Sequence, residues 1–298
     1  MVQALYSLCG ISKQGHTQAL ERQVSQLEKS SIHIRLMEQA KAIHLGMGLR
    51  PMYDMLEPEG IDRDAFIALG LQEGFRLKAI EKKTRTTCSI KSNRYKNLLG
   101  DKELTDINQL WSSDTSYWYA LDKFYYLIFN TDVYSRRIIG YNVADNMRAK
   151  NNYKALKMAL ALRGIHDYQH TLIHHSDKGW QYASDLYTET LNDYHINIIM
   201  CNEAYENTHI ERVNNTIKNQ YLNRMQIRCY RQIEQTVKQV IIPYNEKRPH
   251  QSLHKRTPCQ YEAYLSTTDQ KNRQKMKIFT SDASQKMFQN KQLELFNN

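Results

Sequence analysis

Tyr205-Glu-Asn-Thr-His-Ile-Glu-Arg-Val-Asn-Asn-Thr-Ile-Lys-Asn-Gln-Tyr-Leu222 is the stretch that decides how the rest of the chain is read. Ile210, Val213, Ile217 and Tyr221 recur at helical spacing and predict a single amphipathic helix with those side chains on its buried face. Glu211, Asn214, Asn215 and Lys218 form the adjoining polar stripe. Positions three, four and seven apart share a face, so Glu211 and Lys218 point the same way. On an isolated helix this would be an ordinary solvated surface. Two upstream stretches change its meaning. Trp111-Ser-Ser-Asp114-Thr-Ser-Tyr117 leads into the apolar run 124–129, and His174-His-Ser-Asp177-Lys-Gly-Trp-Gln-Tyr182 follows Leu172-Ile173. Each aspartate belongs to a strand or its end, so two strand carboxylates and one helix carboxylate are candidates to meet.

Size and charge narrow the partners. The 298 residues allow two or three folded units, and 41 Lys plus Arg against 31 Asp plus Glu leave a net charge of +10. A strongly basic chain suits a polyanion, nucleic acid before membrane, although basic proteins without such a partner are common. Cys9, Cys88, Cys201, Cys229 and Cys259 are scattered, with no Cys-x-x-Cys, so neither a disulfide framework nor a zinc site is indicated. Reduced thiols, no secretory signal and no apolar run of membrane length lead us to expect a cytoplasmic protein with no membrane partner.

Punctuation residues divide the chain. Residues 1–30 read as short helices broken at Cys9-Gly10-Ile11-Ser12, with Ser12 able to cap the second. In 31–78, Ser31 is expected to cap a helix with Ile32, Leu36, Ala40 and Ile43 inward. Pro51 starts a second helix with Met52, Met55 and Leu56, and Asp62 caps a third with Ala65, Phe66 and Leu69, closed by Gly70. This suits either a helix-turn-helix DNA-binding domain or a plain three-helix bundle. Residues 79–106 read as a basic linker. Lys82, Lys83, Arg85, Lys91 and Arg94 can track DNA phosphates, or simply keep a tether in water. From 107 to 264, strands are expected at 110–117, 123–132 and 136–144, then a helix at 151–163 stopped by Gly164. A strand at 171–174, a helix at 184–193, a strand at 195–200, the Glu211 helix and a helix at 230–246 follow. That order predicts an α/β unit, a mixed sheet flanked by helices. Residues 265–298 read as a polar tail, partly disordered or ordered by a partner.

The motifs WSSDTSY, HHSDKGWQY and ENTHIE, with Tyr244-Asn245-Glu-Lys-Arg248-Pro249-His250-Gln-Ser252-Leu253 and Thr257-Pro258 downstream, resemble the second-reading-frame transposases of the bacterial IS-three insertion-sequence family, over 36–264. The resemblance implies a ribonuclease-H-like, retroviral-integrase-like catalytic core preceded by a small all-α helix-turn-helix domain whose entry motif resembles Gly48-Leu49-Arg50-Pro51. It places a catalytic and metal-binding triad on Asp114, Asp177 and Glu211, with Mg2+ (or Mn2+), two ions per site. It implies cleavage of transposon ends and strand transfer into target DNA within a homo-oligomeric synaptic complex, at the nucleoid. It also implies an upstream-frame DNA-binding partner. Asp-Asn-Ala, usual before the third carboxylate, is Glu206-Asn207-Thr208 here, and the gap from Asp177 is slightly short. The N-terminal zinc module of retroviral integrases has no counterpart.

The chemistry suits the residues. Two magnesium ions about 3.5 to 4 Å apart can activate an attacking oxygen and stabilise a leaving one, and hard cations take oxygen ligands. Asp122, Asp132, Asp185, Glu203 and Glu206 compete on spacing alone, and only the family motif selects among them. Lys218 is either a phosphate contact beside the triad or a surface lysine. Arg50 is a candidate DNA contact, and Arg248, with His250, either contacts DNA or pins the last helix. His174 and His175 read as packing histidines. A catalytically silent DNA-binding regulator derived from a transposase is the alternative function, and a simple ribonuclease-H-like nuclease a third.

Overall fold

A computed structural model describes residues 6, 10, 12–80, 103–167, 170–200 and 208–278. Two compact units, Met1–Ala79 and Ile80–Asn298, are treated separately. Lys82, Lys83, Arg85, Lys91, Arg94, Glu203 and Glu206 lie outside the described residues.

In the first unit, α1 (Lys13–Ile43), α2 (Leu49–Leu56) and α3 (Arg63–Gln72) enclose Met37, Ala40, Met47, Leu49, Met52 and Phe66. Ser12 caps α1 as expected, accepting from Gly15 N at 2.9 Å, and Asp62 caps α3 through the amides of Asp64 and Ala65. The expected helix start at Ser31 is corrected, and with it the boundary at residue 30. Ser31 sits inside α1, where its hydroxyl donates to the Glu28 carbonyl at 2.7 Å and no cap is needed. The inward stripe is also shifted. His33, Met37, Ala40 and His44 are buried, whereas Ile32 and Ile43 are exposed. His33 is tolerated inside because its Nε2 donates to the Glu59 carbonyl at 3.0 Å. Gly70 does not stop α3 but lies within it, and Ala65 is exposed. A Cβ on Gly70 would come within 2.5 Å of Leu49 Cδ2, so glycine there lets α2 and α3 approach closely; the turn falls at Gly74, φ +79°.

The second unit is built on a mixed five-stranded sheet in the order β4-β3-β2-β5-β6, comprising β2 (Leu110–Ala120), β3 (Lys123–Asp132), β4 (Ile138–Ala144), β5 (Ile173–Ser176) and β6 (Asn197–Met200). β2, β3 and β4 form an antiparallel meander, and β5 and β6 add in parallel to the other side of β2. Helices α4 (Ala149–Arg163) and α5 (Asp185–Asp193) connect the strands beyond the meander. α6 (Thr208–Thr216) and α7 (Tyr230–Glu246) follow the sheet, and α8 (Pro258–Ser266) comes last. This topology is ribonuclease-H-like. β4 starts at Ile138 instead of 136 because Arg136 takes φ +63° in the turn that Asp132 N closes on the Arg137 carbonyl. β5 lies two residues later than expected, since pairing to 110–113 of β2 sets its register.

Alternation along β2 divides the core. Trp118 joins Tyr125, Leu127 and Phe129 beneath Ile210, Val213, Ile217 and Tyr221 of the Glu211 segment and Ile233, Val237 and Val240 of α7. Trp111 points the other way, into Leu156 and Leu160 of α4 and Tyr187 and Leu191 of α5. A smaller cluster (Leu104, Leu110, Tyr134, Tyr261, Leu265, Ile278) corrects two expected boundaries. β1 (Glu103–Leu104), expected as linker, pairs antiparallel with β7 (Met276–Lys277), expected as tail. Arg273 pairs with Asp106, and Tyr134 donates to the Gln274 carbonyl at 2.6 Å. Few apolar residues suffice to dock this polar segment, because backbone pairing supplies much of the attachment. No described helix is long and apolar enough to cross a membrane, and Cys229 and Cys259 are free thiols.

Candidate active site

The central strand and its parallel neighbour bring two aspartates side by side. β2 and β5 pair through Ser113 and Ser176, and the next residue on each is Asp114 and Asp177. Adjacent strands lie about 4.8 Å apart, so this register alone makes the two neighbours. Asp177 sits just past the strand end, where Gly179 N donates to its Oδ1 at 3.1 Å. A Cβ on Gly179 would strike the amide end of the buried Gln181 side chain, so a larger residue there would have to displace that amide.

The third carboxylate arrives on α6, which lies along the Asp114 face of β2. Asn214 Nδ2 donates to Asp114 Oδ2, and one turn on, Lys218 Nζ donates to Ser116 Oγ at 2.6 Å and to the Tyr117 carbonyl at 3.3 Å. Asp114 and Ser116 are two residues apart on one strand face, and Glu211, Asn214 and Lys218 follow one helical stripe, so the two periodicities match. The expected single helix over 205–222, of which 205–207 lie outside the described residues, is corrected in one respect. α-Helical geometry ends at Thr216, and a wider π-type turn spans Ile217–Tyr221. Such turns recur at functional sites because they re-aim side chains without ending the helix; here the turn carries Lys218.

The opposite side of β2 locks the strand. Tyr182 is buried, its hydroxyl 3.1 Å from both Ser113 Oγ and Thr115 Oγ1, and Asn152 Nδ2 donates to Thr115 Oγ1 at 2.9 Å. Tyr182 and Asn214 are the roles that sequence reasoning missed. Helical spacing put Asn214 on the stripe, but only the packing of α6 on β2 aims it at Asp114.

All three carboxyls are raised. Burial, then Asp177 and Glu211, push Asp114 from 3.8 to about 7, with Lys218 opposing. Burial raises Asp177 and Glu211 as well. Like charges crowd a buried place with one opposing ammonium, an arrangement that favours either protonation or a cation. Among the described residues no three His, Cys, Asp or Glu side chains converge tightly enough to chelate one ion as placed; Glu211 stands on the exposed rim. The donor set is nonetheless all oxygen, short of positive charge and open on one side, which fits hard divalent cations.

The other candidates fall elsewhere. Asp132 accepts from Asn108 N and Ser135 N and lies 3.9 Å from Arg163. Asp122 occupies the β2–β3 turn at φ +57°, and Asp185 is exposed in the first turn of α5. His174 is a packing histidine, its Nε2 2.9 Å from Tyr187 Oη; burial and then His175 lower its pKa to about 3. Arg50 is exposed on α2 in the first unit. Arg248 lies on a different flank of α6 from Glu211, near Arg136, Arg212 and His250.

Two protein-family models, each described as an integrase core domain, match residues 105–205 and 192–258. The transposase for insertion sequence element IS904 of Lactococcus lactis is 30% identical over 53% of this chain and 63% of its own length. That for IS629 of Shigella sonnei is 27% identical over 75% of this chain and 76% of its own. The matched stretch thus spans under two thirds of the Lactococcus protein. Among solved structures, the HTLV-2 integrase catalytic core domain in complex with magnesium aligns with TM-score 0.43 and 19% identity, over 52% of this chain and 96% of that one. With the integrase-core matches lying on the mixed sheet and its Asp114–Asp177 register, the chain carries an integrase core domain similar to those of insertion-sequence transposases.

Proposed function

We propose that the chain is a DNA transposase that cleaves transposon ends by phosphodiester hydrolysis and joins the freed 3'-hydroxyl to target DNA by transesterification. The observation that carries this reading is the ladder of Glu211, Asn214 and Lys218 along the face of β2 that holds Asp114, with Asp177 one strand away. Asp114, Asp177 and Glu211 would hold two Mg2+ (or Mn2+) ions. Such a pair, when bound, supplies charge neutralisation at the scissile phosphate and orients attacking and leaving oxygens.

The chain's own residues prepare the place. Asn214 fixes one Asp114 oxygen by donating to it. Gly179 N holds Asp177 Oδ1 in the same way. The Tyr182 hydroxyl ties two β2 side chains on the far face, so the strand cannot rotate Asp114 away. Lys218 contributes positive charge beside Asp114 and can meet a DNA phosphate at the rim. Double-stranded DNA is the partner, in a homo-oligomeric synaptic complex, with the upstream-frame DNA-binding protein as a second component. Arg50 and the basic residues of 82–94 would add sequence-independent phosphate contacts.

The test uses purified chain, Mg2+ and an oligonucleotide copy of the flanking inverted repeats, scored for nicking and joining. Joining by wild type, and its loss in Asp114→Asn with duplex binding retained in a gel shift, is expected. Full joining by Asp114→Asn would remove the triad assignment.

A further inference from the structure

On the flank of α6 away from Glu211, a cavity of about 140 Å³ is lined by Arg136, His209, Arg212, Thr216, Arg248 and His250, with Val213, Tyr244 and Ser252 completing its walls. Its polar lining is cationic, imidazole or hydroxyl, with no carboxylate among the lining residues. Arg136 comes from the β3–β4 turn, where a non-glycine residue is held at φ +63°, a strained backbone that aims the side chain. Its Nη1 lies 2.5 Å from His209 Nδ1 and its Nη2 3.3 Å from Met276 Sδ, neither of which neutralises a guanidinium. The carboxylate it feels is Asp132, already committed to Asn108 N, Ser135 and Arg163. Arg248, from the loop after α7, has a buried Nη1 with no hydrogen-bond partner, and so does His250 at Nε2. Among the described residues none of the three arginines forms an ion pair.

Three guanidinium groups around a small cavity repel one another, and a buried donor without an acceptor is costly to the fold. Both debts are cancelled by one ligand class, a tetrahedral oxyanion with several acceptors, which guanidinium forks grip in bidentate fashion. Arg212 and Ser252 are exposed, so the cavity opens to solvent on their side. We propose that Arg136, Arg212 and Arg248 form a phosphate-binding pocket, and that it receives a backbone phosphate of the DNA. The DNA source rests on the function proposed above, whereas phosphate binding does not. Burial, then Arg248 and Arg136, hold the His250 pKa at about 3, and a dianion among the arginines would raise it.

The experiment titrates the full chain with inorganic phosphate at constant ionic strength, by calorimetry and by NMR of the His250 ring. Saturable binding with an upward shift of the His250 pKa is expected in wild type and in Asp114→Asn. Binding at least tenfold weaker is expected in Arg212→Gln, an exposed position that leaves the core intact, and in Arg248→Lys, which keeps charge but loses the fork. Absence of saturable binding in wild type, or undiminished binding in both variants, overturns the pocket. A second arm measures duplex affinity against salt. The slope of log K against log salt should fall by about one in Arg212→Gln. Phosphate binding with an unchanged slope overturns the DNA source and identifies free phosphate as the ligand. Because Asp114→Asn should bind phosphate normally, failure of the catalytic reading and failure of the pocket are separable.

Discussion

Two groups of buried charge in the second unit use the same residue types to opposite effect. Around Glu262 of α8, Arg163 and Arg137 both pair with the carboxylate, and Ser135 Oγ donates to it at 2.7 Å. These partners, Arg163 foremost, outweigh burial and hold Glu262 below its usual 4.5. Around Asp114, burial and two further carboxylates act together and outweigh Lys218 and the Thr115 amide, so the carboxyl rises to about 7. One cluster is electrostatically complete and joins α4, α8 and the β3–β4 turn. The other is left unsatisfied by its own protein, the condition for taking up something from outside. Burial alone does not separate a structural acid from a functional one; the sign of the surrounding charge does.

The sharpest way to break that contrast is Asp114→Asn. Activity in the joining assay should drop by about a hundredfold to a thousandfold or more, the scale of losing a preorganised electrostatic group. In metal-free buffer the same substitution should stabilise the fold. The folded pKa near 7 exceeds the unfolded 3.8, so the unfolded chain releases its proton first and stability falls as pH rises from about 4 through 7. The amide removes that fall, an upper bound of about 4 kcal/mol at neutral pH. Denaturant melts in chelator, variant against wild type, should diverge over this window, and parallel curves would dissolve the comparison.

Glu262→Gln should do the reverse. Leaving Arg163 and Arg137 without a counter-charge costs about 3–5 kcal/mol at neutral pH. Here the folded pKa is depressed, so the wild-type advantage is complete above 4.5 and lost as pH falls through the lower folded value. Urea midpoints of the two proteins should therefore converge in acid. Within the same cluster, Arg163→Ala should cost several kcal/mol, because that side chain is 7% exposed, whereas Arg137→Ala, at 26%, should cost about 1 kcal/mol.

Asn214→Ala gives the smallest expected effect at the Asp114 cluster. Removing the amide that fixes Asp114 should slow joining about tenfold to a hundredfold. Weakened Mg2+ dependence with unchanged duplex binding would mark a positioning residue, and lost duplex binding would assign it elsewhere.

Much of this was legible in the residues themselves. The β3 and α7 boundaries, the caps at Ser12 and Asp62, the stop at Gly164 and the buried face Ile210–Val213–Ile217–Tyr221 all follow from local pattern. Such signals survive because they depend on a few neighbouring residues. Ser31 and Gly70 misled for the same reason. A serine that can cap and one that bonds back to Glu28 read alike, and a glycine that ends a helix reads like one that admits Leu49. The docking of β7 on β1 was illegible because its partner lies far away in sequence.

The sequence by itself determined which acids could serve, since the family motif, where spacing alone left others in play, singled out Asp114, Asp177 and Glu211 as candidates, and it determined the helical stripe that carries Glu211 and Lys218. Only the tertiary structure decided that Asp114 neighbours Asp177, that Asn214 rather than solvent meets Asp114, and that Arg136, Arg212 and Arg248 share one cavity. Those are facts of strand register and helix packing between segments far apart in the chain. Local propensities do not encode them, because the energy that selects them comes from burying whole faces against one another.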